Sequence, residues 1–290
     1  MAPSPDVALD AGAGLGEGPV WDAAAEQLLW VDCLDGTVHR FDPLTGVDTG
    51  VNTDQRVGSV ALRRRGGLIM AAGRGFAVLD EHMGAIAPVA DVGPVPAAYV
   101  MNDGACDVAG RFWAGTASND GQPTAGLYVL DAEGAVTQMI HGIRMSNGIG
   151  WSPDDRLMYY VDSRTQGLDV FRFSADEGRL GTRRRVVDIE AGVGIPDGLA
   201  VDAEGCIWLA LWGPGLVHRY TPRGELDRVV SVPTSHTTSC AFGGPDLGVL
   251  YITSARAGLT EKQRRRQPHA GALFAVRSGV RGLPPHGYAG

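Results

Sequence analysis

The sequence predicts an all-β protein, a six-bladed β-propeller with a metal site in its central channel. A pattern of short strands recurs along the chain with a period of 41 to 50 residues. Glycine accounts for 42 of the 290 residues and is spread along the chain, which is typical of many tight turns between short strands. One position of the repeat also carries a carboxylate or amide side chain in four of its six copies.

Each repeat contains an apolar strand, a polar turn with Asp or Gly, a strand with an aromatic residue, a Gly-containing turn and a third strand. The pattern is clearest in residues 106–134, 151–173 and 201–224. The last apolar residues before the first turn of each repeat are Trp21, Leu62, Cys106, Trp151, Val201 and Phe242. Their spacings are 41, 44, 45, 50 and 41 residues, a period typical of propeller blades. Six copies predict six blades.

The sixth repeat lacks its last strand. We expect residues 7–10 to supply it, so that the two ends of the chain close the ring and leave no exposed sheet edge at that seam. The whole chain, residues 1–290, then forms a single domain. Residues 256–269 interrupt the sixth repeat and are predicted to be a surface excursion.

Composition restricts the partners. A net charge of −8 makes a nucleic-acid partner unexpected, and no apolar run is long enough to span a membrane. The N-terminus shows no basic segment followed by an apolar one, so no signal peptide is predicted. The four cysteines form no C-x-x-C motif and are interpreted as apolar core residues in a reducing compartment. We expect a cytoplasmic monomer or small homo-oligomer that binds neither nucleic acid nor membrane.

The residue four places before each of these apolar positions is the most informative. In repeat order the six residues are Glu17, Gly58, Asn102, Asn147, Asp197 and Thr238. Equivalent positions in a propeller are related by a pseudo-sixfold axis, so these residues lie on one ring. If the position opens the innermost strand, the ring surrounds the channel and its oxygen atoms converge. The pattern therefore predicts one bound divalent cation.

The ligand types favour a hard cation. Two carboxylates and two amide carbonyls suit Ca²⁺, Mg²⁺ or Mn²⁺, with Zn²⁺ and Fe²⁺ as open alternatives. The seven histidines form no H-E-x-x-H motif, and no G-x-S-x-G occurs, which disfavours a histidine zinc site and a serine hydrolase.

A structural interpretation competes with the metal site. Asn147–Gly148 and Asp197–Gly198 are common turn dipeptides, and residues 102–104 also read as a turn. Turn formation does not explain Glu17, a poor turn residue, at the same repeat position. The recurrence favours a joint site over separate turns.

Several segments resemble the regucalcin/gluconolactonase/luciferin-regenerating-enzyme family. They are Gly16-Glu-Gly-Pro-Val-Trp, Asn102-Asp-Gly, Gly110-Arg-Phe-Trp-Ala-Gly-Thr, Ser146-Asn-Gly-Ile-Gly-Trp-Ser, Ile195-Pro-Asp-Gly and Thr237-Thr-Ser-Cys-Ala-Phe-Gly-Gly. The resemblance covers essentially the whole chain. It implies a six-bladed propeller and metal-dependent hydrolysis of sugar lactones.

The resemblance also implies residue roles. Glu17, Asn147 and Asp197 match the family's metal ligands, and Asp197 matches its proposed general base. Asn102 and Asp120 match substrate contacts. Val100 departs from the pattern, because many sugar lactonases of the family carry a substrate-binding Arg there. This predicts a less polar or differently shaped substrate.

We therefore expect a divalent-metal-dependent lactonase that opens a small lactone, a sugar (aldono-)lactone, to the hydroxy acid. Two alternatives stay open. The same scaffold could hydrolyse esters or phosphotriesters, or it could bind calcium without catalysis.

Overall fold

Six four-stranded antiparallel sheets surround a central channel in the computed structural model of the protein. The structure describes residues 4–80, 84–93, 99–118 and 120–290. The predicted all-β, six-bladed propeller is confirmed.

The strands follow one another from the channel outward in each blade. The first strand, β1 (Asp6–Leu9), belongs to the last blade. Blade 1 contains β2 (Gly16–Asp22), β3 (Gln27–Asp32), β4 (Thr37–Asp42) and β5 (Val47–Asn52). Blade 2 contains β6 (Val57–Leu62), β7 (Leu68–Ala72), β8 (Gly75–Asp80) and β9 (Ala85–Asp91). Blade 3 contains β10 (Tyr99–Cys106), β11 (Phe112–Ser118), β12 (Ala125–Leu130) and β13 (Val136–Ile143).

The second half of the chain repeats this order. Blade 4 contains β14 (Ser146–Trp151), β15 (Leu157–Asp162), β16 (Gly167–Ser174) and β17 (Arg179–Asp188). Blade 5 contains β18 (Ile195–Val201), β19 (Ile207–Trp212), β20 (Leu216–Tyr220) and β21 (Leu226–Ser231). Blade 6 contains β22 (Thr237–Gly243), β23 (Val249–Ser254) and β24 (Leu273–Arg277). A short 3₁₀ turn spans Ser163–Thr165.

The ring closes as predicted. Strand β1 pairs antiparallel with β24 as the outermost strand of blade 6, with Val7 opposite Phe274. The chain then runs directly from β1 into blade 1. The first blade is thereby tied to the last both covalently and by backbone hydrogen bonds.

The hydrophobic core consists of six clusters, each at a seam between neighbouring blades. Trp113 lies between blades 3 and 4, and Trp208 between blades 5 and 6; both are fully buried. Their indole N–H groups donate to the carboxylates of Asp107 and Asp202, each over 2.9 Å. These bonds satisfy a polar atom that burial would otherwise leave unpaired.

The excursion in blade 6 contains the helix α1 (Glu261–Arg266), whose side chains are all at the surface. Thr260 caps it, and its hydroxyl and the Gln263 side chain form a reciprocal capping box. The T-x-x-Q spacing was a usable signal for this short helix.

Candidate metal centre

The six innermost strands are β2, β6, β10, β14, β18 and β22, and all of them begin at the same end of the channel. Near its start each of them loses register with its neighbour, for example between Glu17 and Val20 in β2 and between Pro196 and Leu199 in β18. Such bulges bend a strand and re-aim its side chains. The predicted ring position falls at this irregularity in every blade.

The turn interpretation of residues 102–104, Asn147–Gly148 and Asp197–Gly198 is therefore wrong. All three segments lie inside strands, at the bulges of β10, β14 and β18. A bulge and a tight turn both favour residues that tolerate unusual backbone angles, so the dipeptides alone do not distinguish the two.

A chain of contacts joins the ring positions of blades 3, 4 and 5. Asn102 donates its Nδ2 to Asn147 Oδ1 over 3.0 Å and to the Ser146 carbonyl over 2.8 Å. Asn147 donates to Ser163 Oγ over 2.8 Å, and Ser163 in turn donates to the Pro196 carbonyl, next to Asp197, over 2.6 Å. These bonds set the orientation of the Asn147 amide.

Two ring positions have structural roles. A Cβ on Gly58 would lie 2.5 Å from the Asn102 carbonyl oxygen, so the glycine allows strands β6 and β10 to approach. Thr238 Oγ1 donates to the Gly16 carbonyl over 2.6 Å and joins blade 6 to blade 1 beside Glu17. Blades 2 and 6 thus support the ring without contributing a carboxylate to it.

The two ring carboxylates are buried, each 8% exposed. Burial, followed by repulsion from Asp197 and Asp103, raises the pKa of Glu17 well above its usual value. A hydrogen bond from the Gly18 N–H and the charge of Arg56 oppose this shift. Burial and the charge of Asp103 likewise raise the pKa of Asp197. The ring holds more negative charge than its surroundings compensate.

Asp103 is the residue that the sequence did not single out. It lies one position after Asn102, and enclosure by the protein raises its pKa to about 6. Its charge acts on both Glu17 and Asp197, so it belongs to the same acidic cluster. The repeat contained a signal for it, because the residues one place after the ring are Gly18, Ser59, Asp103, Gly148, Gly198 and Ser239. Asp103 is the one acid among them.

Two buried aspartates fix the backbone that leads into the ring. The Asp32 carboxylate accepts from the N–H groups of Gly14 (2.7 Å) and Leu15 (3.1 Å), just ahead of β2. Asp162 accepts from those of Arg144 and Met145, each over 3.1 Å, just ahead of β14. They thereby fix the backbone that leads to Glu17 and Asn147.

The predicted substrate contacts lie at the same end. Val100 is half-buried near the start of β10, opposite Ala117. Asp120 is exposed beyond the end of β11, where it accepts hydrogen bonds from Ser118 Oγ and, over 3.0 Å, from the Gln122 N–H. These bonds lower the pKa of Asp120, so it is charged at neutral pH. Both residues remain predicted contacts.

The donor set fits a hard divalent cation. The candidate ligands Glu17, Asn147, Asp197 and Asn102 all offer oxygen. The Nδ2 group of Asn102 donates to Ser146 and Asn147, whereas no described residue donates to its Oδ1. A divalent cation bound among these carboxylates would offset the burial and mutual repulsion that raise the pKa values of Glu17 and Asp197.

A second cluster of metal-ligand residue types is an ion-pair network. The ligand atoms of Asp202, Glu204 and Cys206 lie within 4.8 Å of one another in blade 5. Arg219 already pairs with both carboxylates, 2.8 Å from Asp202 and 2.5 Å from Glu204. Burial also raises the pKa of the Cys206 thiol, which keeps it protonated. Arg219 supplies the cation here.

The opposite end of the channel is different. A cavity of about 330 Å³ is lined by the second halves of the inner strands and by residues 283–286 near the C-terminus. Its walls include Trp21, Trp151 and Phe242, while Asp103 faces it from the ring side. The channel thus has a polar end and an apolar end.

The comparisons with known proteins agree with this architecture. Residues 15–256 match the SMP-30/gluconolactonase/LRE-like region. The chain belongs to this family. Regucalcin of Danio rerio is 40% identical over 281 residues, covering 95% of both chains. A Bacillus subtilis (strain 168) protein provisionally named the sugar lactone lactonase YvrE is 35% identical over 284 residues, covering 97% of both chains.

Solved structures show the same likeness. A calcium-binding protein, regucalcin, from Agrobacterium tumefaciens superposes with a TM-score of 0.92 at 28% identity, covering 99% of this chain and 97% of that one.

Within the described ranges, no helix has the length and hydropathy that a membrane span requires.

Proposed function

We propose that the protein is a divalent-cation-dependent lactonase that opens a small sugar lactone to its hydroxy acid. The observation that carries the proposal is the ring of buried oxygen ligands, in which the two carboxylates Glu17 and Asp197 face one channel end. The family membership and the YvrE relative's provisional name support the substrate class.

In this proposal Glu17, Asn147 and Asp197 hold the cation. When bound, the cation supplies Lewis-acid stabilisation of the negative charge that develops on the lactone carbonyl oxygen. Its charge also offsets the repulsion between the carboxylates, so that they stay ionised at neutral pH.

Asp197 acts as the general base. Its burial weakens solvation of the carboxylate, which strengthens it as a proton acceptor. It accepts a proton from the water that adds to the carbonyl carbon. The ring C–O bond then breaks, and the proton passes to the departing alkoxide oxygen to give the hydroxy acid.

Asn102 can only accept, and not donate, a hydrogen bond in contact with a substrate. Its amide hydrogens are held by Ser146 and Asn147, so its free Oδ1 can receive a substrate hydroxyl or contribute to the cation's ligands. Asp120 is charged and lies at the polar end of the channel, which we call the mouth. It can accept a hydrogen bond from a second hydroxyl. An acceptor-rich mouth suits a substrate that carries hydroxyl groups.

Two alternatives have specific support. Val100 removes a donor from the mouth and would suit an ester or phosphotriester with less polar substituents. The Agrobacterium relative is described as a calcium-binding protein, which would suit binding without turnover.

The test begins with protein stripped of metal and reconstituted with single divalent cations. We expect acid release from a panel of aldonolactones, measured with a pH indicator, only in the reconstituted samples. Asp197→Asn also removes a ligand charge, so it is assayed at cation concentrations that saturate the variant. Under those conditions it should lower kcat by about 10²- to 10⁴-fold, the usual contribution of general-base catalysis.

Asp188→Asn is the matched control, since that aspartate is 84% exposed on the outer strand β17. It should leave turnover unchanged. Full activity of Asp197→Asn with cation bound would remove Asp197 as the base. Turnover of esters or phosphotriesters but of no lactone would replace the proposed substrate class. Tight calcium binding without any turnover would favour the binding role.

A further inference from the structure

Arg56 is a charged residue at the polar channel end that the proposed mechanism does not use. It immediately precedes β6, two residues before the ring position Gly58. Its carbonyl accepts the Gly73 N–H over 2.9 Å, which fixes its backbone at the top of blade 2. Its side chain is half-buried.

The guanidinium of Arg56 is poorly satisfied by the protein. Its Nε is buried, and no described residue accepts a hydrogen bond from it. None of the ion pairs formed within the described part of the chain involves Arg56 either. Other half-buried arginines are paired directly; Arg185, for example, lies 2.7 Å from the Asp169 carboxylate. Buried donors are nearly always paired, so the unpaired Nε of Arg56 is an exception that calls for an explanation.

The charge of Arg56 acts on the ring. Burial raises the pKa of Glu17 and of the buried Cys33 thiol, both on the blade 1 side, and the charge of Arg56 partly offsets each rise. Cys33 Sγ in turn donates to the Gly58 carbonyl over 3.8 Å, which joins blades 1 and 2 two residues after Arg56. The guanidinium is therefore close enough to influence Glu17, yet it forms no ion pair with it.

The repeat gives Arg56 a counterpart. Arg56 and Val100 both lie two residues ahead of a ring position, in the adjacent blades 2 and 3. Gly58 and Asn102 are in close contact across this seam. The mouth therefore has a cationic donor on blade 2 at the repeat position that is apolar on blade 3.

We propose that Arg56 binds the oxygen substituents of the lactone and so determines the enzyme's preference for hydroxylated substrates. A guanidinium presents several N–H donors in one plane, which suits a pair of neighbouring hydroxyl oxygens or a carboxylate. It complements Asn102 and Asp120, which offer only acceptors. This inference rests on the proposed lactonase function.

The test compares two lactones of equal ring size, D-glucono-δ-lactone and the unsubstituted δ-valerolactone. Arg56→Met keeps the length of the side chain and removes its donors. We expect KM for the hydroxylated lactone to rise by about tenfold or more, with kcat changed by less than about twofold. For δ-valerolactone, kcat/KM should change by less than about twofold. Arg56→Lys, which keeps the charge, should give an intermediate KM.

Arg156→Met is the control, since that arginine is 84% exposed in the turn between β14 and β15. It should behave as the unmodified protein. Equal losses on both lactones would show that Arg56 only supports the ring, and unchanged kinetics on both would show that it contacts no substrate. Either result overturns the inference.

Binding separates this inference from the proposed function. If the calcium-loaded protein hydrolyses neither lactone, the proposed function fails. Calorimetric titration with gluconate and with 5-hydroxypentanoate then tests Arg56 directly. A selective loss of gluconate affinity in Arg56→Met supports the role, whereas equal affinities in the two proteins contradict it. The thermal unfolding midpoint of each variant checks that it is folded.

Discussion

The two ends of the six inner strands differ although the same strands form both. At the starting end, every strand is bulged, and polar side chains meet near the axis. At the far end the strands regain regular pairing, and their residues enclose an apolar cavity of about 330 Å³. The cavity lining begins only one or two residues after the ring position in each strand.

The two ends of the channel affect the free energy of folding in opposite directions. Regular pairing and apolar burial at the far end stabilise the propeller, whereas the ring concentrates buried charge that opposes folding. Asp103 lies at the border and contacts both environments. Substitutions in the ring should therefore change cation affinity, and substitutions at the apolar end should change the free energy of unfolding.

The largest expected effect separates cation affinity from stability. Glu17→Gln removes one ring charge and should weaken calcium binding on the order of a thousandfold, because affinity depends on ligand charge. Phe242→Leu, at the apolar end, should leave calcium affinity unchanged and destabilise the protein by about 1 kcal/mol. Calorimetry and urea unfolding measure the two quantities. Similar changes in both variants would contradict the division into two ends.

The next effect is a pH dependence. The folded-state pKa of Asp103 is about 6, above the ordinary value of 3.8. A raised carboxyl pKa contributes stability at low pH that is lost as the pH rises through the folded value. Metal-free protein should thus lose roughly 2–3 kcal/mol between about pH 4 and pH 7 from Asp103 alone.

Glu17 and Asp197 shift in the same direction and extend the loss to higher pH. Urea unfolding of the metal-free protein at several pH values measures the slope. Asp103→Asn should flatten it, and saturating calcium should reverse it by binding the ionised ring. A stability that rises across this window in metal-free protein would show that the ring charges are compensated.

The smallest expected effect concerns the backbone supports. Asp162→Asn keeps the size of the side chain but weakens the bonds from the Arg144 and Met145 N–H groups. We expect a loss of about 1–2 kcal/mol in unfolding free energy and a weakening of calcium affinity by about tenfold, since Asn147 loses its fixed position. Asp188→Asn again serves as the exposed control. Weakened binding without any loss of stability would mean that Asp162 acts through the field of its charge.

The sequence was sufficient to predict the blades because each repeat is one supersecondary unit with its own turns. The closure by β1 and the positions of Glu17, Asn102, Asn147 and Asp197 at one channel end were also predicted. Equivalent repeat positions share an environment, so the repeat alone predicts which distant residues lie close together in the structure.

The remaining features depend on contacts between blades. A bulge depends on the register with the neighbouring strand, which hydrophobic alternation does not record. The acidity of Asp103 depends on its enclosure, and the unmatched donor of Arg56 depends on which acceptors lie within reach. The turn interpretation of the Asn–Gly and Asp–Gly pairs failed for the same reason.

The pairing of β1 with β24 also affects synthesis. Strand β1 leaves the ribosome well before β24 and finds its partner only once β24 has been made, because the two share a sheet. Until then, β1 and the incomplete sixth blade present open edges on which other chains can pair. Closure of the ring is therefore a late, long-range event that follows synthesis of blade 6.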